Sequence, residues 1–449
     1  MFNLEKSSIF ELNGMPSIGK SIPMALQHVV AMIVGCVTPA LIISQAVTSP
    51  VPNHGIILVQ SALVIAALAT FVQLFPIGKY FGSGLPVIMG VSFAYLSSML
   101  AIAEGYDLSA IFGAQIVGGF IAALVGVFVR KIRRFFPPMI TGTVVFTIGL
   151  SLYPTAINYM AGGVGSPDYG SWQNWSIAIL TLIIVTTLNH FGKGLIKLSS
   201  ILIGIVVGYI VSIPFGMINL DPVTTAKVFQ LPKFMPFGIS FEVSACTALG
   251  ILFTINAIQA IGDFSATTIG GLDREPTNSE LQGGIIGYGI SNIFGAFIGG
   301  LPTATYSQNV GIVASTKVVN RITLGMSATI LLIAGLIPKF SAILTTIPQC
   351  VLGGATISVF ASIAMTGMKL VTSEKMNYRN SSIVGLSAAL GVGISQASGA
   401  IASFPDWFIM IFGKSPVVLA TLTAVIMNII LPKEKEGEKI PLKEINKND

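Results

Sequence analysis

Apolar residues gather along the chain in fourteen runs, at roughly 22–44, 55–78, 86–102, 107–129, 137–158, 174–189, 198–216, 244–268, 281–300, 304–316, 322–346, 350–370, 381–400 and 416–432. A helix of about 20 apolar residues crosses a bilayer. The pattern therefore predicts an all-α polytopic membrane protein with short loops. An even number of spans places both termini on one side.

Two runs break the pattern. The third contains Gly82, Gly84, Pro86 and Gly90; the tenth opens on Gly299, Gly300 and Pro302 and includes Gly311. They are the third spans of two seven-span halves. Short, Gly/Pro-interrupted segments at matching places in two halves point to inverted repeats with a binding site near the midplane. Across 303–310, Thr303, Thr305, Ser307 and Asn309 alternate with Ala304, Tyr306, Gln308 and Val310. Period two predicts extended chain there, ahead of a half-helix. Extended backbone at membrane depth must satisfy its polar groups with protein, water or ligand. Such groups, with a helix N-terminus beside them, suit a flat, polar, hydrogen-bonding ligand.

Composition supports this reading. The 449 residues are 53% hydrophobic and 9% charged, against about 25% charged in soluble domains. Mean hydropathy is +0.83. So little charge could not cover a soluble surface. The net charge of +6 orients the chain and implies no nucleic acid. With the N-terminus inside, twenty of the 24 Lys and Arg fall on inner segments; only Lys227, Lys233, Lys339 and Lys414 fall outside. That split predicts cytoplasmic ends, 1–21 and the lysine-rich tail 433–449. The densest basic run, RKIRR at 130–134, reads as a topology determinant, with anionic lipid as an alternative partner. Cys36, Cys246 and Cys350 read as small core residues, because they show no CxxC spacing. No cleavable signal is visible in the first 20 residues.

Ionisable groups inside a membrane are costly, so each is a functional candidate. Asp263 stands out, far from either end of the eighth span. Asn256, Gln259, Asp263 and Thr267 follow helical spacing and form one polar stripe, expected to face a cavity or the half-helices. A structural network around Asp263 is the alternative. Gln259 offers donors and an acceptor that match a nucleobase edge. His28, after Gln27 in the first span, suits proton linkage or a hydrogen-bonded core. No HExxH, Walker loop or nucleophile elbow occurs, and no metal site or cofactor is expected. An enzyme is therefore disfavoured.

Four stretches carry a resemblance. QNVGIVASTK, from Gln308 to Lys317, matches every constrained position of the pattern [Q/E/P]-N-x-G-x(4)-T-[R/K/G]. QHVVAMIVG from Gln27, GLPVIMGVSFA from Gly84 and IGDFSATT from Ile261 agree with it. The chain thus resembles the nucleobase–ascorbate transporter family, in its bacterial xanthine/uric acid permease branch. The resemblance implies two inverted seven-span repeats, with short antiparallel strands in spans three and ten. It implies a core domain (22–130 and 244–348), a gate domain (131–243 and 349–432) and a homodimer. It places Ser92, Phe93, Ala94, Gln308 and Asn309 at the base, with Gly311 and Thr316 as supporting motif positions. Gln308 fits the purine branch, where a uracil branch would have Glu.

Two departures stand out. The family usually has Glu four residues before the span-eight Asp; here that residue is Gln259. It often has Asp in span nine, in a GGxxxDG context; here GGIIGYG carries Tyr288. Asp263 is left as the main acid, with His28 as a possible assistant, and coupling to protons or to sodium stays open. The expected function is uptake of xanthine, urate, hypoxanthine or guanine at the cell membrane, by symport with an elevator movement. The alternatives are a pyrimidine permease and an anion transporter of the sulfate-carrier type.

Overall fold

The computed structural model describes residues 8–78, 80–129 and 137–432. The basic run at 130–134 and the tail at 433–449 lie outside the described residues. Among those described, fourteen helices have ten or more residues, one for each apolar run. They are α1 (Ile18–Ala46), α2 (His54–Leu74), α3 (Leu96–Gly105), α4 (Leu108–Val127), α5 (Pro138–Met160), α6 (Trp172–Phe191), α7 (Ser200–Ser212), α8 (Val243–Leu272), α9 (Asn278–Phe297), α10 (Ser307–Thr316), α11 (Arg321–Gly335), α12 (Gln349–Val371), α13 (Tyr378–Gln396) and α14 (Pro416–Ile430). Their ends follow local chemistry. The α2 helix stops at Leu74, just before Phe75-Pro76, because proline disfavours helix in the residue before it. Asp107 caps α4 by accepting from the Ala110 amide, and Thr277 with Glu280 forms a capping box on α9.

Seven helices (α1, α2, α4, α5, α6, α8 and α12) are long and apolar enough to cross a membrane alone. Two further spans are bent. The α11 helix turns by 79° into Pro338–Thr345, and Asp406–Gly413 turns by 80° into α14. Proline begins the second helix of each pair, at Pro338 and Pro416, where its missing N–H and fixed φ cost nothing. The eleventh apolar run, expected as one span, is thus a broken one.

Strands β1 (Met89–Val91) and β2 (Thr303–Thr305) pair antiparallel, with Met89 opposite Thr305 and Val91 opposite Thr303. The third span of each half therefore meets its counterpart. The ladder is extended by Ser92 N–H to the Pro302 carbonyl and Tyr306 N–H to the Ile88 carbonyl, both 3.0 Å. Side chains satisfy the outer edges. Thr70 of α2 accepts from the Met89 amide at 2.9 Å, and Asn292 of α9 accepts from the Thr303 amide at 2.7 Å. This is how strand backbone is tolerated at such depth. The alternation read across 303–310 stops early: the strand ends at Thr305, Tyr306 is the last extended residue, and α10 begins at Ser307. Gln308 and Asn309 lie in its first turn, because the Ser307 hydroxyl is drawn to Asp263 and the chain turns there.

Packing pairs α4 with α8 and α9, α2 with α11, and α1 with both α2 and α11. Elsewhere α12 lies along α5, α6 packs on α7, and α13 packs on α14. The α5–α12 crossing is close because Gly149 and Gly367 face it. A Cβ on Gly149 would lie 2.4 Å from the Ala364 nitrogen, and one on Gly367 would lie 2.1 Å from the Phe146 nitrogen. Small residues at a crossing let backbones approach where lipid supplies no hydrophobic drive.

Candidate functional site

The strand pair sets a helix N-terminus at each of its two ends. On the second-half side, Asp263 of α8 is buried, at 8% exposure. Both of its carboxylate oxygens are occupied: Thr305 Oγ1 donates to Oδ2, and Ser307 Oγ donates to Oδ1 at 2.9 Å. Asp263 therefore clamps the strand-to-helix junction at the start of α10. A negative group there is favoured by the helix dipole.

Beside this clamp the first turn of α10 splits its side chains. Gln308 is exposed and has no hydrogen-bond partner among the described residues. Asn309 is buried at 1% exposure. Its Nδ2 donates to the His28 carbonyl at 3.1 Å and lies 3.0 Å from His28 Nδ1. In that pairing the amide donates and Nδ1 accepts. His28 Nε2 and Asn309 Oδ1 are buried without protein partners among the described residues. Gln27 is half-buried beside His28. Gln259, one turn before Asp263, is half-buried with its amide unpaired among the described residues.

The first-half side is built from backbone and rings. Ser92, half-buried, caps the turn Phe93–Tyr95 by accepting from the Ala94 amide at 3.2 Å. The Phe93 ring stands edge-on to Phe360 of α12, with centroids 5.2 Å apart. The Tyr95 hydroxyl bonds the Tyr288 hydroxyl of α9, and its ring packs on Phe253 at 4.8 Å. Tyr306 donates to the Val91 carbonyl at 2.7 Å. A Cβ on Gly90 would lie 2.4 Å from the Tyr306 ring, so only glycine admits that ring beneath β1.

The polar stripe of α8 divides. Asp263 alone reaches the facing half-helix. Asn256 bonds back to the Leu252 carbonyl at 3.0 Å, and Thr267 bonds back to the Asp263 carbonyl at 2.8 Å. Each bonds the carbonyl one turn back in its own helix. Thr316 likewise bonds the Ile312 carbonyl at 2.7 Å, and Gly311 faces open space. Of the cysteines, Cys36 and Cys350 are buried as expected, while Cys246 is only half-buried. Sequence reasoning missed Thr305 and Ser307 as partners of Asp263. The alternating hydroxyls that signalled a strand were also the signal for that role.

Two interrupted spans that pair through short strands and continue as half-helices are the signature of this transmembrane fold. The same fold occurs in the transmembrane domain of a cyanobacterium bicarbonate transporter, BicA (TM-score 0.61, 17% identity, 91% of this chain and 98% of that one). It also occurs in SLC26A9 (TM-score 0.59, 12% identity, 92% of this chain and 66% of that one). At those identities the likeness is one of fold alone. Sequence decides the family: the family model Xan_ur_permease, described as "Permease family", matches residues 19–399, and the chain belongs to it, among the nucleobase–ascorbate transporters. Relatives include the xanthine permease of Bacillus subtilis, 33% identical over 425 residues (94% of this chain, 96% of the relative). The uric acid permease PucJ of the same organism is 34% identical over 427 residues (93% and 94%). The protein is thus an integral membrane permease and not an enzyme.

Proposed function

We propose that this permease takes up a purine nucleobase, namely xanthine, urate, hypoxanthine or guanine, with a coupled cation. The observation that carries the reading is the open amide pair beside a clamped acid. Gln259 and Gln308 present unpaired donors and acceptors next to Asp263, where a base edge can use them, and the Phe93 turn offers backbone and a ring. Relatives named as xanthine and uric acid permeases support the purine.

Asp263 is the coupling group. Ionised, it only accepts, and both oxygens accept hydroxyls. Protonation makes one oxygen a donor and reverses one of those bonds at the start of α10. Proton uptake thereby alters the junction that positions Gln308. Sodium is the alternative ion, and His28 assists through Asn309. In this reading α1–α4 and α8–α11 form a core that slides against a gate of α5–α7 and α12–α14, in a homodimer with cytoplasmic termini.

The test is uptake of radiolabelled bases into cells lacking their own purine carriers, under separate pH and sodium jumps. Accumulation of one purine, driven by the pH jump, is expected. If none of the four bases accumulates above background, the purine reading fails; accumulation of uracil alone would reassign the base.

A further inference from the structure

Helix α3 runs about 15 Å from the Phe93 turn and ends at Gly105 against Met410, whose Cε lies 2.3 Å from where a Gly105 Cβ would stand. Met410 belongs to Ile409–Gly413, a single π-helical turn just before the 80° bend into α14. Such turns recur at functional sites. At this seam the Ser98 and Ser415 hydroxyls meet at 2.6 Å, and each residue is 1% exposed. Next to it opens a cleft of about 330 Å³ between α3, α5, the end of α13 and the turn before α14. Glu104, Ser151, Thr155, Gln396 and Lys414 line it. Thr155 and Gln396 have no hydrogen-bond partner among the described residues. Glu104 and Lys414 meet at 3.5 Å, both largely exposed.

We propose that this cleft is the outer vestibule that first receives the base, and that the Ser98–Ser415 seam is the gate between it and the site. The inference rests on the transport reading above, which sets the outer face and the cargo. A cleft of this size with a few converging polar groups fits a small, flat heterocycle. Its unpaired hydroxyl and amide bond the base, while the loosely held Glu104–Lys414 pair can part at little cost. Vestibule, seam and Phe93 turn are strung along one ten-residue helix. On the opposite half of the molecule, Gly262 and Ala266 of α8 and Ser307, Gln308 and Ser315 of α10 are exposed. The site is open on that side and shut at the seam, as alternating access requires of one end state.

The test is a disulfide lock. Hydroxyls 2.6 Å apart put a S98C/S415C pair within reach of a ~2.05 Å S–S bond. In full-length protein in cells, copper phenanthroline should cross-link the pair and cut purine uptake at least tenfold. Dithiothreitol should restore at least half of it. Each single variant, treated alike, separates locking from general oxidation. Should the double variant fold poorly, E104C/K414C joined by a short bis-maleimide locks the same seam from exposed positions. Complete cross-linking with uptake undiminished overturns the gate, and so does a folded pair that does not cross-link. A wild type that accumulates no base overturns the transport reading instead.

Discussion

The strand β1 with α3, and the strand β2 with α10, occupy matching places in the two halves and pair with each other residue for residue. Their side chains do opposite work. The first carries Phe93 and Tyr95, locked against Phe360 and Tyr288. The second carries Thr305 and Ser307, both spent on Asp263, and leaves Gln308 free. The start of one half-helix is an aromatic, packed wall; the start of the other is a polar, partly open face. The repeat supplies a pair of helix N-termini, and the difference between its copies turns them into a site with a packed side and a recognition side.

The comparison breaks most decisively at Asp263. Asp263→Asn should abolish uphill accumulation, at least tenfold below wild type, while exchange of labelled for unlabelled base partly survives. Concentrative uptake by that variant at the wild-type level would move coupling elsewhere. Thr305→Val deletes a hydrogen bond to a charged group, worth about 1.5–3 kcal/mol. On the polar side, uptake should fall by about tenfold or more with membrane abundance held, as an immunoblot beside the transport assay would report. Glycines sharpen the contrast. Gly90→Ala drives a methyl into Tyr306 and should lower the amount of folded protein, by a packing cost of about 1–3 kcal/mol. Gly311→Ala meets no neighbour, so it should keep the fold and raise KM by a few-fold. Equal loss of folded protein in the two would erase the distinction between wall and face. The smallest effect is expected at Gln259→Glu, which should shift base preference or the pH profile of uptake. Unchanged values in a base-competition panel would remove residue 259 from the substrate.

Much of the fold was legible because lipid imposes a simple rule. Each apolar run had to satisfy its own backbone, so each became a helix, and Gly and Pro marked where the rule was broken. Strand β2 was legible from alternation at Thr303 and Thr305, β1 only from the family resemblance, and Asp263 from the cost of burying an acid. The end of β2 was not legible, since Ser307 fits both the alternation and a helix start, and only its bond to Asp263 decides. Nor could the stripe on α8 be divided. Asn256 and Thr267 share helical spacing with Asp263, but polar side chains in a helix can equally bond the carbonyl four residues back. Tyr95 and Phe360 gave no signal at all, because aromatic residues in apolar runs look alike until their neighbours are known.

The order of hydrophobic and polar residues by itself determined a polytopic helical protein, two broken spans at equivalent positions, one interior acid and the family motif at 308–317. These are local or periodic properties, and burial in lipid penalises every exception. Tertiary structure decided which polar groups are spent and which are free. Thr305 and Ser307 are consumed by Asp263, the Asn309 amide nitrogen by His28, and Tyr288 by Tyr95, while Gln259 and Gln308 remain open. Hydrogen-bonding capacity is a property of each residue, but satisfaction depends on partners 42 to 281 residues away in the chain, and only the folded backbone brings them within 3 Å.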